Sequence, residues 1–500
     1  MKILARLCLR RAGFQAKYNN HLWNNVQKTA LYSTKIVDTL KGRGLVNSVT
    51  HDSIYSALEK SKVGVYCGVD PTAPSLHVGN LIPLMGLLHF HLAGHRILPL
   101  VGSATGAIGD PSGKSTERGL LASDVLNNNV KSISAQLENF FERAREYAEK
   151  RSYNVSIEQN ASPSNSSERL SPIKIVRNGD WYGGMGVLEF LRDVGKHARV
   201  GVMLARESVK ARMSSEQGIS FTEFSYQLLQ AYDFWYLYKN HGCKVQLGGS
   251  DQWGNITAGT ELIRRLRAAN DISNDGGSGD VNSENDAFGI TFPLLTTSTG
   301  EKFGKSAGNA IWLDSNLTSP FDFYQFFVQT PDADVERYLL LFTLLPVDKI
   351  AQTIEAHKQK PEDFTAQKLL ASEVTEMIHG ENGFRKAIVA TDVLFGKSKS
   401  SYTKSELANA FANDPRLKTI NNAVISGKTV TDLAVISESC KSKGEANRLI
   451  KNGGLYWNNQ RVTDPKWIPS LENGDYIGGS IGVLRTGKTN YRLLQIQENT

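Results

Sequence analysis

Lys302 and Lys305 stand three residues apart in "GEKFGKSAGN", two ammonium groups on a glycine-rich stretch, and that pairing suits a polyphosphate leaving group. A second stretch, "VGSATGAIGDPSGKSTER" (Val101–Arg118), offers the Asp110 carboxylate and the cations Lys114 and Arg118 in a loop loosened by Thr105, Gly106, Gly109 and Gly113. Its spacing does not match the phosphate loop in which a Lys-Ser/Thr pair closes a Gly-x4-Gly run, so Walker-type chemistry is excluded. A third, "YCGVDPTAPSLHVGN" (Tyr66–Asn80), runs from a β-type segment into a proline-rich turn. Gly68 and Gly79 would admit a nucleotide close to the backbone, and His77 could donate a hydrogen bond to a phosphate oxygen. A loop histidine taken alone reads equally well as a solvated side chain.

The fourth stretch, "SFTEFSYQLLQAYDFWYLYKNHG", has the marks of a helix: Ser220 and Glu223 fit a capping box and Gly242 a C-terminal stop. Phe224, Leu228, Ala231 and Trp235 form one apolar stripe, which Leu229, Tyr232 and Tyr236 widen until the helix should be buried. Tyr226, Gln230 and Asp233 nevertheless share one face, at i, i+4 and i+7. A polar ridge on a buried helix costs free energy unless it meets partners. A satisfied core network is one explanation; a small polar ligand bearing an amine and a hydroxyl is a better one. In the fifth, "VQLGGSDQWGN", a strand ends at Gly248-Gly249 and Asp251 is placed to meet ribose hydroxyls, with Gln252 beside it.

The elements that must position these residues alternate. Val63–Val69, Ile97–Gly102 and Ile173–Val176 read as strands; Leu81–Ala93, Val125–Lys150 and Val187–Val194 read as helices. Such alternation argues for a parallel α/β sheet, whose ligands bind at the carboxyl ends of the strands. Residues 154–171 and 270–286 are Ser-, Asn- and Gly-rich insertions expected to be surface loops. From about 346 to 417 the pattern is mostly helical, and from about 425 to 500 it becomes a short basic helix with β-type runs, holding ten Lys/Arg against seven Asp/Glu. The four cysteines are too far apart for a zinc site or a disulfide framework. The chain's 500 residues carry a net charge of +7, which favours a polyanionic partner or simply a basic enzyme. No apolar run reaches the ~18–20 residues of a membrane span. No acidic residue occurs before Asp38, while Arg and Lys alternate with apolar side chains; residues 1–37 read as a mitochondrial transit peptide, or as a plain basic tail.

Taken as a set, "YCGVDPTAPSLHVGN", "GDPSGK", "SYQLLQAYDF", "GGSDQWGNITAG" and "KFGKS" resemble the class I tyrosyl-tRNA synthetases, over about Val63 to Tyr491. "HVGN" is similar to the class I HIGH signature with Asn80 for its second histidine, and "KFGKS" to the KMSKS loop. The resemblance implies an α/β enzyme. A Rossmann-like catalytic domain over 38–345 would carry an inserted dimerisation segment. A helical anticodon-binding domain over 346–424 and a small α+β RNA-binding module over 425–500 would follow. It implies ATP as a substrate, with Mg2+ and no tightly bound cofactor or protein-held metal, and L-tyrosine, tRNA(Tyr) and a second copy of the chain as partners, in the mitochondrial matrix. It further implies that Tyr66 and Asp233 meet the substrate phenol and that Asp110, Tyr226 and Gln230 hold its ammonium group. Asn178 would support that pocket and Gln252 would lie near the carboxylate. Gly68, Asp70, Gly79, Asn80, Gly249 and Asp251 would hold the nucleotide, and Thr72 and His77 would stabilise the γ-phosphate. Lys114, Arg118, Lys302, Lys305 and Ser306 would grip the pyrophosphate. A non-catalytic RNA-binding relative and the tryptophan enzyme are the alternatives; the Tyr66–Asp233 pair argues against the latter.

Overall fold

The computed structural model describes residues 35–113, 116–117, 119, 121–151, 172–274, 287–296, 310–396, 402–487 and 489–497. The expected transit segment up to residue 34, the insertion at 154–171, residues 275–286 of the second insertion, and Lys114, Arg118, Lys302, Lys305 and Ser306 lie outside them. Contacts divide the chain into two units. One comprises the described residues through Asp70, with Pro83–Leu121 and Ala148–Leu294; the other comprises Pro71–Ile82, Ala122–Tyr147 and the chain from Leu295 onward.

The first unit is built on a six-stranded sheet. Its strands are β1 (Ser48–Val49), β2 (Gly64–Val69), β3 (Arg96–Val101), β4 (Val176–Arg177), β5 (Cys243–Gly249) and β6 (Phe288–Phe292), in the order β1-β6-β5-β2-β3-β4. Five strands are parallel and only β1 runs antiparallel, against β6. The expected α/β architecture is therefore present. Strand order reverses between β2 and β5, the switch point at which a doubly wound sheet opens a crevice beyond its carboxyl ends. Burial of β2 is continuous from Gly64 to Cys67 and stops at Gly68, so the strand becomes accessible where that crevice begins. Beneath it, Tyr66, Leu98, Leu100, Val176, Trp181, Phe234, Leu237, Cys243 and Ile263 form one apolar cluster.

Three sequence expectations need correction here. The strand expected over 173–176 shrinks to Val176–Arg177, because only those residues find partners, Leu100 and Val101, on β3. The helix Trp253–Asn274 runs on into the segment expected to be a loop from Asn270, since residues 270–274 hold neither glycine nor proline. On the helix Phe221–His241 the apolar stripe is only partly buried, with Ala231 alone of its four residues enclosed. Phe224, Leu228 and Trp235 are half-buried, while Glu223, Tyr226, Gln227, Asp233, Phe234 and Leu237 are buried.

The second unit contains a five-stranded sheet, β7 (Leu417–Asn421), β8 (Leu455–Trp457), β9 (Gln460–Arg461), β10 (Ile481–Thr486) and β11 (Asn490–Gln497), ordered β7-β11-β10-β8-β9. β7 pairs in parallel with β11, so the stretch expected to stay helical to 424 turns into sheet from Leu417. Helices Pro320–Val328, Asp332–Phe342, Val347–Gln359 and Thr365–Phe395 precede it, the last interrupted at Gly380, whose φ of 70° ends the first run. The short basic helix Lys443–Lys451 and the following strand β8 appear as expected, joined through Gly453 at φ +69°.

Candidate active site

In the first unit the ridge on helix Phe221–His241 is buried because it faces partners that arrive from three other elements. Asp233, 2% exposed, accepts from Asn178 Nδ2 (3.1 Å) and Trp181 Nε1 (2.9 Å). Both follow β4: Asn178 immediately precedes the short helix Gly179–Tyr182, its side chain free of any capping bond, and Trp181 lies within that helix. Trp181 is held in turn by stacking on Tyr236, with ring centroids 4.5 Å apart. Burial raises the Asp233 carboxyl to about 7, against the opposing pull of hydrogen bonds from Asn178, Trp181 and Tyr182. The Tyr66 hydroxyl is buried with no hydrogen-bond partner among the described residues. Burial, and then the charge of Asp233, push its ionisation well above the usual phenol range. A buried carboxylate and an unpartnered buried hydroxyl can together receive and donate one hydrogen bond each to a ligand hydroxyl.

Asn178 extends this cluster. Its Nδ2 also reaches Thr105 Oγ1 (2.9 Å), and its Oδ1 accepts from the backbone N–H of Ala104 (2.7 Å). Thr105 donates to Asp70 Oδ1 (2.8 Å), and Tyr226 donates to the other oxygen, Oδ2 (2.8 Å). Tyr226, expected beside Asp110 and Gln230, thus points its hydroxyl at the carboxylate that follows β2. The loop geometry depends on Gly102: a Cβ there would lie 2.0 Å from Asp70 Oδ1 and 2.4 Å from Thr105 Oγ1.

A second cluster joins Asp110, Gln230 and Gln252. Gln252 Nε2 donates to Asp110 Oδ2 (2.7 Å), Gln230 Nε2 donates to Gln252 Oε1 (3.3 Å), and the backbone N–H of Ser112 closes on Asp110 Oδ1 (3.0 Å). Gly249 leads into the 3-10 turn Ser250–Gln252, in which Asp251 is exposed. These three residues are set by the end of β5, on one side of the switch point, as Gly68 and Asp70 are by the end of β2 on the other.

Sequence reasoning missed several contributors. Trp181 stands three residues after Asn178, but nothing local says that its indole seeks a carboxylate. Asn255, 2% exposed, lies three residues beyond Gln252, one turn along the same chain, and only that spacing hints at it. Glu223 fits a capping box by its spacing. Its backbone N–H does donate to Ser220 Oγ (3.1 Å), but its carboxylate pairs with the buried Arg212 through two bonds of 2.9 and 3.0 Å. Ser220 Oγ donates instead to Glu117 (2.6 Å), in the loop that follows Asp110.

Thr72, His77, Gly79 and Asn80 belong to the second unit. There Pro71–Ile82 is pinned by Asn129, which donates to Pro71 O (3.0 Å), and by Gln136, whose Oε1 accepts from Ser75 Oγ and the Leu76 N–H, both at 2.9 Å. Its other edge pairs with residues 311–313: Val78 N–H donates to Ile311 O (3.0 Å) and Leu313 N–H to Leu76 O (2.8 Å). His77 Nδ1 accepts from the Gly79 N–H (3.0 Å), which places the proton of the neutral ring on Nε2. Asn80 Oδ1 accepts from the His77 N–H (3.0 Å) and so closes the cap from the other direction. Gly79 is required for this: a Cβ would sit 2.7 Å from His77 Cε1.

The parallel sheet with its crevice at the β2/β5 switch point, carrying acids, amides and glycines at the two strand ends, defines a class I aminoacyl-tRNA synthetase fold. The family model described as tRNA synthetases class I (W and Y) matches residues 58–396, and one described as the tyrosine–tRNA ligase SYY-like C-terminal domain matches 406–494. The chain is 42% identical to the chloroplastic/mitochondrial tyrosine–tRNA ligase of Arabidopsis thaliana, over 94% of this chain and 85% of the relative. It is 40% identical to the tyrosine–tRNA ligase of Oceanobacillus iheyensis, over 92% of this chain and 99% of the relative. A crystal structure of a C-terminally truncated mitochondrial tyrosyl-tRNA synthetase from Aspergillus nidulans aligns with a TM-score of 0.63 at 37% identity, covering 72% of this chain and 93% of that one. The chain belongs to the class I tyrosyl-tRNA synthetase family. Its activity is accordingly that of a tyrosine–tRNA ligase, with tyrosine, ATP and tRNA as substrates.

Asp233 should be observable without substrate. The part of the tryptophan fluorescence that a Trp181→Phe change removes is expected to titrate with a midpoint of about 7, and Asp233→Asn should flatten it. A signal that stays level from pH 5.5 to 8.5 would show that the carboxyl is not raised.

Proposed function

We propose that the buried pair Tyr66–Asp233 reads the phenol of L-tyrosine, and that the residues around it carry the two-step reaction. The observation that supports this most strongly is an acid raised to about 7 near a buried hydroxyl that has no partner among the described residues. Asp110, Gln230 and Tyr226 hold the ammonium group, Gln252 lies by the carboxylate, and Asn178 keeps Asp233 oriented. Gly68, Asp70, Gly249 and Asp251 cradle the adenosine side, with Gly79 and Asn80. The tyrosine carboxylate then attacks the α-phosphorus, the bond to the bridging oxygen breaks, and pyrophosphate departs. Thr72 and the Nε2–H of His77 stabilise the γ-phosphate as charge develops, and Lys114, Arg118, Lys302, Lys305 and Ser306 hold the leaving group. Mg2+ enters as part of the nucleotide substrate. In the second step a hydroxyl of the terminal tRNA ribose attacks the adenylate carbonyl and AMP leaves. Catalysis rests on positioning and electrostatics, with no covalent bond to the enzyme.

Selectivity against phenylalanine follows from the unpaired acid it would leave behind. Discrimination of ~10⁵ without an editing site is a known property of tyrosyl-tRNA synthetases as a class, and its size does not come from the geometry of this chain. ATP–pyrophosphate exchange should proceed with tyrosine and not with tryptophan or phenylalanine, and Asp233→Ala should abolish the preference for tyrosine over phenylalanine. Undiminished preference in that variant would refute the assignment.

Three finer readings accompany it. We read the chain as a catalytic domain, a helical anticodon-binding domain and a terminal RNA-binding module. The terminal module reaches back to strand β7, which pairs with β11. The protein works as a homodimer through the segment inserted in the catalytic domain. Val187 (71% exposed), Leu188 (78%) and Phe221 (78%) support this, because large apolar side chains so exposed usually meet a partner. The wild type should sediment at twice its 55.1 kDa chain mass, and Leu188→Asp should shift it toward the single chain; a wild-type monomer at micromolar concentration would refute the dimer. The site of action is the mitochondrial matrix, supported by the acid-free basic N-terminus and by mitochondrial relatives. Residues 1–37 fused to a fluorescent reporter should enter mitochondria, and a cytosolic signal would refute the targeting.

A further inference from the structure

Asn255 occupies an unusual electrostatic position. Its Nδ2 lies 3.1 Å from Gln230 Oε1, 3.2 Å from Gln252 Oε1, 3.3 Å from Asp110 Oδ1 and 3.3 Å from Ser112 Oγ. Four oxygens from three separate elements converge on one amide nitrogen that is sealed from water. An amide nitrogen only donates, and it has two protons to share among the four. A donor there settles which end of each neighbouring glutamine faces it. With the oxygens of Gln230 and Gln252 turned toward Asn255, the Gln252 Nε2 is left to hold Asp110, at 2.7 Å, and the Gln230 Nε2 to reach Gln252, at 3.3 Å. Remove the donor and the Gln230 and Gln252 oxygens both face a gap, leaving the Gln252 orientation to Asp110 alone and that of Gln230 to its 3.3 Å contact with Gln252. The Asp110 carboxylate then loses one of the groups that fix its plane.

We propose that Asn255 is a positioning residue for tyrosine recognition. With Asp110 it sets the amide orientations of Gln230 and Gln252, and it steadies the rotation of Asp110, so that Asp110 and Gln230 present acceptors to the substrate's ammonium group. It does so without touching substrate. The proposal rests on the assignment of Asp110 and Gln230 to the ammonium group. Asn255 orients the Asp110–Gln230–Gln252 cluster at the amino-acid end, whereas Asn178 and Trp181 orient Asp233 at the phenol end. Loss of Asn255 therefore damages one end and spares the other.

Three ligands resolve this on the full-length enzyme: L-tyrosine, tyramine (phenol and ammonium group, no carboxylate) and p-cresol (phenol alone), the last two read as inhibitors of ATP–pyrophosphate exchange. Asn255→Ala is expected to raise the KM for tyrosine and the inhibition constant of tyramine about 10- to 100-fold, the range for leaving buried polar groups unpaired. The constant for p-cresol and the KM for ATP should stay within about twofold by the same reasoning, since neither ligand meets the groups that Asn255 orients. Asn255→Asp, which turns an acceptor toward four oxygens, should be worse than Asn255→Ala. Asn255→Ser, which keeps a donor, should recover part of the tyramine affinity and also serves if the alanine variant does not fold. Equal weakening of all three ligands would overturn the proposal in favour of a general packing role, and unchanged tyramine affinity would overturn it outright. A wild-type enzyme that binds tyramine no better than p-cresol would overturn the ammonium assignment itself, and the proposal with it.

Discussion

An acid buried against neutral donors sets the terms for the first unit. Asp233 meets an amide and an indole, and burial works against its charge strongly enough to lift the carboxyl to about 7. A carboxylate in that setting is tolerated only if each lone pair finds a donor. That requirement reaches far along the chain. It demands that β4 end where Asn178 can reach Asp233, that Trp181 follow at the right turn, and that Tyr236 stack against the indole. Through Asn178 and Thr105 the same constraint passes to Asp70, at the end of β2. One hydrogen-bonded chain thereby joins Asp233 on the helix to Asp70 at the end of β2.

The sheet supplies what side chains alone could not. Reversal of strand order between β2 and β5 brings two strand ends together, and each end carries a glycine two residues before an acid, Gly68 before Asp70 and Gly249 before Asp251. Close backbone approach is demanded at specific places. Gly102 leaves room for the Asp70–Thr105 pair, and in the second unit Gly79 leaves room for the His77 ring that folds back over it. In that unit the His77 cap is a local device. Gly79 and Asn80 close it within four residues, and the paired segment 311–313 holds its edge.

Much of this was legible in the sequence, and the parts that were not share a cause. Alternating strand and helix patterns announced the parallel sheet, and the spacing of Tyr226, Gln230 and Asp233 announced a polar ridge on a helix. What the pattern overestimated was how far burial extends round that helix: Phe224, Leu228 and Trp235 are only half-buried, while Asp233 is buried because Asn178 and Trp181 wait opposite. Glu223 matched a capping motif, yet Arg212, eleven residues earlier, offered a bidentate partner that a local rule does not weigh. Strand β7 hid inside a helical stretch because its partner, β11, lies at the far end of the module. Asn255 sat in a quoted motif without a role, since its four acceptors come together only in the folded chain. Local rules located the elements; contacts distant in sequence decided how the side chains are used.

The sharpest check on the role of Asp233 is the proton linkage of tyrosine binding. If Asp233 is half-protonated near pH 7 in the free protein and accepts the substrate phenol as a carboxylate, binding must expel a proton from it. Calorimetry of L-tyrosine binding at pH 7, run in buffers of different ionisation enthalpy, should therefore report net proton release, and Asp233→Asn should remove that release. Proton uptake, or a binding enthalpy independent of the buffer in the wild-type protein, would contradict the claim that this acid reads the hydroxyl.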